Sequence, residues 1–130
     1  MNLEVFAADE QGEAPVDVVR WVALAQQVLE AEGVRGDAEL SMLFVDAGAM
    51  AELNRRFLGK DEPTDVLAFP IDRAESVAGP RELGDVVICR EHAGDLREAT
   101  VHGVLHLCGY DHETDDGAML ALQADLMREL

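Results

Sequence analysis

The sequence predicts one α/β (α+β) domain over residues 1–130, a small mixed β-sheet of about four strands flanked by helices. Three observations carry this. The length, 130 residues, suits a single core, and 48% hydrophobic against 28% charged residues is ordinary for a globular chain. Apolar residues alternate at Leu40, Met42 and Phe44 and run together over Val86-Val87-Ile88-Cys89, as strands do. Between these runs the apolar spacing becomes helical.

In order, Leu3 to Ala7 is a short apolar strand, and Ala8 to Ala14 an acidic loop containing Gly12. Pro15 fits the first turn of a helix whose apolar face is Val18, Val22, Ala25 and Leu29, with Gly33 as its stop. A turn at Arg35-Gly36-Asp37 leads to the strand around Leu40–Phe44, where Glu39, Ser41 and Leu43 take the other face. Met50, Leu53 and Phe57 space a short helix closed by Gly59. Lys60 to Thr64 is a turn, Val66 to Phe69 a strand ended by Pro70, and Asp72 to Glu82 a surface loop with Gly79-Pro80. Gly84-Asp85 introduces the buried strand Val86–Cys89. Helical spacing returns from Leu96 to Leu107 and stops at Gly109. A last helix runs from Thr114 or Asp115 to Leu130, with acids in its first turn. No repeat or linker interrupts the order β-α-β-α-β-β-α-α.

Charge narrows the function. There are 27 acidic and 10 basic residues, a formal net charge of −17, and Lys60 is the only lysine. Such a surface repels polyanions at long range, so nucleic acid binds only where local cations outweigh the field. Arg55, Arg56 and Lys60 form the one basic cluster and are the candidate phosphate-binding residues. The two cysteines, Cys89 and Cys108, lack metal or redox spacing and read as core filler. Neither a leader-like N-terminus nor a membrane-spanning apolar stretch is evident, so the expected location is the cytoplasm, without membrane contact.

The chemistry concentrates in His102-Gly103-Val104-Leu105-His106-Leu107-Cys108-Gly109-Tyr110-Asp111-His112. Residues four apart share a helix face, so His102 and His106 offer nitrogens to one point. Gly109 ends the helix, and the turn behind it is long enough to bring His112 to the same point. Three imidazoles leave a fourth position open for water, as in catalytic rather than structural zinc sites. The expected cofactor is one divalent metal ion, Zn2+ first; three imidazoles also accept nickel, cobalt or copper. His92 lies outside the cluster and reads as a surface residue. In helical zinc peptidases a Glu directly after the first His is the general base; here that position is Gly103, which disfavours peptide hydrolysis. Asp111 is a candidate acceptor for the second ring N–H of a ligand histidine. Asp85 and Asp65 are candidates for a general base, each also readable as a turn residue. Tyr110 is expected to cover the metal.

The run His102–His112 resembles the H-G-x-L-H-L-x-G-Y-D-H signature of the YbeY family of bacterial rRNA-maturation endoribonucleases. Leu53-Asn54 with Gly59-Lys60-Asp61 and Pro63–Pro70 is similar to a second block of that family, L-N…G-K-D-x-P-T-D-V-L-S-F-P. Leu83-Gly84-Asp85-Val86-Val87 is similar to a third, L-G-D-I-V. The resemblance implies a mixed sheet flanked by helices, a single metal on the three histidines, and cleavage of single-stranded RNA. The implied role is 16S rRNA 3′-end maturation and ribosome quality control, with rRNA precursor, the small ribosomal subunit and its assembly proteins as partners. Two departures stand out. Leu58 replaces an Arg that the family carries before its Gly-Lys, leaving Arg55 or Arg56 to substitute. Only 16 residues separate Asp85 from His102, which implies a helix trimmed to a loop around Glu91–Asp95. Two other functions remain open from the residues alone: a different zinc hydrolase of peptidase type, and a non-catalytic ribosome-assembly factor with a structural metal.

Overall fold

Four strands form one sheet in the order β1-β2-β4-β3, with β1 (Leu3–Asp9), β2 (Ala38–Val45), β3 (Val66–Pro70) and β4 (Arg81–Cys89). The helices are α1 (Val18–Ala31), α2 (Ala47–Leu58), α3 (Leu96–Leu107) and α4 (Ala118–Glu129). The structure, a computed structural model, describes residues 3–12, 15–34, 37–60, 64–71, 81–111 and 115–130. Strands β1, β2 and β4 run parallel, and only β3 is antiparallel to its neighbour. The sheet is therefore mixed, as the sequence predicts.

Strand alternation divides the core in two. Leu40, Met42, Phe44, Val86 and Ile88 belong to the larger cluster, with Trp21, Leu24, Ala25, Val28 and Leu29 of α1, Val101, Val104 and Leu105 of α3, and Met119 and Leu126 of α4. Their alternates, Val45, Leu67, Val87 and Cys89, meet Met50 of α2 on the opposite face. Helices α1 and α3 thus cover one face, with α4 packed on α3, and α2 covers the other. Gly103 lets α3 approach closely, since a Cβ there would lie 2.5 Å from Val86 Cγ1.

Several predicted boundaries move. Helix α1 starts at Val18, after Pro15, because Asp17 is its cap: the Asp17 carboxylate accepts from the Arg20 amide. The Val16 amide is held instead by Asp9 at the end of β1, 3.0 Å away. The buried face of α1 is Trp21, Leu24, Ala25, Val28 and Leu29, so Val18 and Val22 sit at its margin. Strand β4 begins at Arg81, inside the predicted loop, pairing Arg81 with Ala38 and Glu82 with Glu39. The predicted loop over 72–80, the turn residues Arg35, Gly36 and 61–63, and Glu13 and Ala14 lie outside the described residues.

Helix α4 starts at Ala118 rather than at Thr114 or Asp115, and no acid occupies its first turn. Asp115 works from outside, its carboxylate accepting from the Gly117 and Met119 amides at 2.9 and 3.1 Å. Helix α2 closes at Gly59 in the left-handed conformation, as its glycine suggests. Between β4 and α3 the chain makes a turn, with the His92 and Ala93 amides donating to Cys89 carbonyl oxygen. His92 is exposed there. No described helix is long and apolar enough to cross a membrane.

Candidate metal centre and cleft

Strand β3 is the outermost strand on its side of the sheet. Beyond it, between the C-terminal ends of α2 and α3, lies an open cleft of about 760 Å³. Its lining includes Leu58 and Lys60 from α2 and its exit, Thr64 and Asp65 before β3, and His102, His106 and Asp111 from α3 and its exit. The C-terminal end of a helix carries partial negative charge, so two such ends make this a favourable place for a cation.

His102 and His106 pack edge to face, with ring centroids 4.8 Å apart, as one helical turn requires. Each ring has its Nδ1 engaged. His106 Nδ1 lies 2.9 Å from the Tyr110 carbonyl oxygen, which can only accept, so Nδ1 carries the proton. His102 Nδ1 lies 2.8 Å from Gln123 Oε1 on α4. A neutral imidazole that donates through Nδ1 keeps its lone pair on Nε2, the form in which histidine binds a metal. The donor set therefore fits a divalent metal. His112, the third expected ligand, lies outside the described residues; among the described residues no group of three His, Cys, Asp or Glu side chains gathers around one point.

The acceptors expected at Asp111 are found elsewhere for these two rings, at Gln123 and at the Tyr110 backbone, although Asp111 does line the cleft. Gln123 escaped sequence reasoning. Its only signal is a polar residue on the buried stripe Met119, Gln123, Leu126 of α4. Tyr110 lines the cleft and gives its backbone carbonyl to His106. Its ring packs against the main core, and the neighbouring Glu32 carboxylate pushes the phenol pKa up.

Of the two candidate bases the structure brings one to the cleft. Asp65 lines it, and its Oδ1 accepts from the Val66 amide at 2.8 Å and from Thr64 Oγ1 at 3.2 Å. Asp85 is exposed and alternates with Val86, so it shares the α2 face with Val87, across the sheet from α3 and the histidines. Of the three candidate cations only Lys60 lines the cleft. Arg55 is 2.6 Å from Glu52, whose carboxyl it holds below its ordinary range, and the Arg56 guanidinium lies 5.6 Å from the centroid of the Phe57 ring. Both cysteines are free thiols, Cys89 buried and Cys108 half-buried, and desolvation raises both pKa values, that of Cys108 to about 11.

A family model described as endoribonuclease YbeY matches residues 6–130. The chain belongs to the YbeY family. Endoribonuclease YbeY of Salinispora tropica is 44% identical over 98% of this chain and 94% of its own length. That of Acidothermus cellulolyticus is 41% identical over 98% of this chain and 90% of its own. The alignment with the Salinispora relative spans 151 positions against the 130 residues here, so that YbeY carries residues this chain lacks. A Thermotoga maritima protein of known solution structure is 27% identical and aligns with a TM-score of 0.54 over 96% of this chain and 87% of its own.

Proposed function

We propose that this YbeY-family chain is a metal-dependent, single-strand-specific endoribonuclease of the cytoplasm, acting in 16S rRNA 3′-end maturation and ribosome quality control. The observation that carries the proposal is the pair of imidazoles lining the cleft, each with Nδ1 committed to an oxygen, in a chain whose relatives are named endoribonucleases. His102, His106 and His112 would hold one divalent cation, best suited to Zn2+. Bound there, it supplies Lewis acidity toward phosphoryl oxygen and water.

The remaining work falls to the protein. Lys60 draws a phosphate into the cleft as a point charge. Asp65 takes the proton: among the described residues both hydrogen bonds to its carboxylate fall on Oδ1, which leaves Oδ2 to accept. Gly103 faces the sheet against Val86, so no side chain at that position could serve as a peptidase base in the cleft. With Lys60 as the one cleft cation among the described residues and a net charge of −17, affinity for free RNA is low. Docking on the small ribosomal subunit and its assembly proteins supplies the missing local concentration.

The test pairs metal analysis of the purified protein with cleavage of single-stranded RNA, duplex RNA and casein, before and after chelation and Zn2+ restoration. Single-stranded RNA alone should be cut, reversibly with metal, and His106→Ala should lose both metal and cleavage. If His106→Ala stays folded, loses both, and still supports ribosome maturation in depleted cells, the protein is an assembly factor and the enzymatic proposal falls.

A further inference from the structure

Gln123 is only 8% exposed, an amide set among apolar neighbours on α4. Burying such a group is costly unless both ends are satisfied. Both are. Its Nε2 donates to Glu98 Oε1 at 3.4 Å, and its Oε1 meets His102 Nδ1 at 2.8 Å. The two ends of a side-chain amide have the same shape and opposite hydrogen-bonding character. A carboxylate can only accept, so Glu98 claims the NH2 end of Gln123. The carbonyl end must then face His102, and His102 must donate from Nδ1. Glu98 lies one helical turn before His102 on α3, and α4 closes the circuit.

We propose that Glu98 and Gln123 form a two-residue relay that fixes the tautomer of His102 and so holds its lone pair on Nε2 for a metal, making Gln123 a positioning residue of the metal centre. This rests on His102 being a metal ligand. The two histidines are oriented by different means. His106 depends on a backbone carbonyl, which no substitution removes, whereas His102 depends on side chains and is open to test.

The tautomer can be read without metal. In the metal-free protein, long-range proton–nitrogen correlation should give His102 a protonated Nδ1 and an unprotonated Nε2. Gln123→Leu, close in size and apolar, should release the ring to a mixture of both forms. In the same variant Co2+ and Zn2+ should bind about 10–100-fold more weakly, while the swap Glu98→Gln with Gln123→Glu should return to within about threefold of wild type. In the swap the new carboxylate accepts from His102 and is itself held by the new amide, so the relay is rebuilt with its partners exchanged. Hydrogen exchange of α3 and α4 amides checks that each variant is folded.

A folded Gln123→Leu protein with wild-type tautomer and wild-type affinity overturns the relay. So does a folded swap that binds as weakly as Gln123→Leu, since Gln123 would then matter only as filler. If wild type and His106→Ala bind Co2+ alike, the metal centre itself is wrong and the relay has nothing to position; the tautomer spectrum separates that failure from the first two.

Discussion

Gly103 sits where α3 meets Val86 and Val66 of the sheet, between the two histidines in sequence and on a different side of the helix. Adding a methyl group puts it 2.5 Å from Val86 Cγ1 and 3.3 Å from Val66 Cγ2. Both neighbours are β-branched and stiff, so they cannot swing aside. Alanine gains about 1 kcal/mol of helix propensity and, with both neighbours stiff, loses about 3 kcal/mol to overpacking, the upper end of the usual range, so Gly103→Ala should be destabilised by roughly 2 kcal/mol in urea unfolding. Three residues earlier, Thr100 is fully buried and its hydroxyl finds no hydrogen-bond partner among the described residues. Thr100→Val keeps the shape and removes the orphan, and should stabilise the fold by about 1 kcal/mol in the same assay. Cys108 bears on alkaline pH. Its pKa is raised from 9.0 to about 11, chiefly by burial, so the folded state keeps a proton that the unfolded state gives up. The resulting stability is complete below pH 9 and is lost as pH climbs through about 11. At pH 8.5 the native thiolate fraction should be about 100-fold below that of the unfolded chain, read as slow alkylation by iodoacetamide.

At the scale of elements, what the sequence made legible was local and what it concealed was tertiary. The alternation at Leu40, Met42 and Phe44 and the run Val86–Cys89 are strand signals carried by their own residues, and β2 and β4 formed there. Asp95 and Gly109 bracket α3 within a residue or two of its predicted span. The extension of β4 back to Arg81 had no such signal. Arg81 and Glu82 are exposed and polar, and Gly84 reads as a breaker; they are strand because Ala38 and Glu39 lie alongside to pair with them. Two of the three histidines could be joined by helix periodicity alone, whereas Gln123 reaches His102 only through the packing of α4 on α3. Gly84 is the element-scale weak point. Its φ is +131°, the β2–β4 register shifts beside it, and a Cβ would stand 2.2 Å from the Phe69 carbonyl oxygen. That oxygen is backbone and cannot yield, so Gly84→Ala should cost on the order of 3 kcal/mol and pry β3 from β4. Hydrogen exchange should localise the loss to Val66–Pro70, the strand that floors the cleft.

Over the whole molecule two electrostatic ranges compete, and salt separates them. The net charge of −17 opposes an RNA strand from every direction, and that repulsion reaches about 30 Å at 0.01 M salt but about 10 Å at 0.1 M. Lys60 attracts at contact, and each phosphate it neutralises on a single strand contributes a slope of about −0.7 in log affinity against log salt, near fivefold per decade. Raising salt from 10 mM therefore first helps binding, by shrinking the repulsive field, and then harms it, by taxing the contact. The affinity of a short single-stranded RNA, followed by fluorescence anisotropy from 10 to 300 mM salt, should pass through a shallow maximum. Lys60→Ala removes the contact and leaves the field, so its binding should be weaker at every salt and should rise throughout the range. Arg55→Ala should change little, because Glu52 already neutralises that side chain at 2.6 Å. A wild-type slope near −3, with no maximum, would mean several phosphates held at once, more than a cleft with Lys60 as its one cation among the described residues can hold.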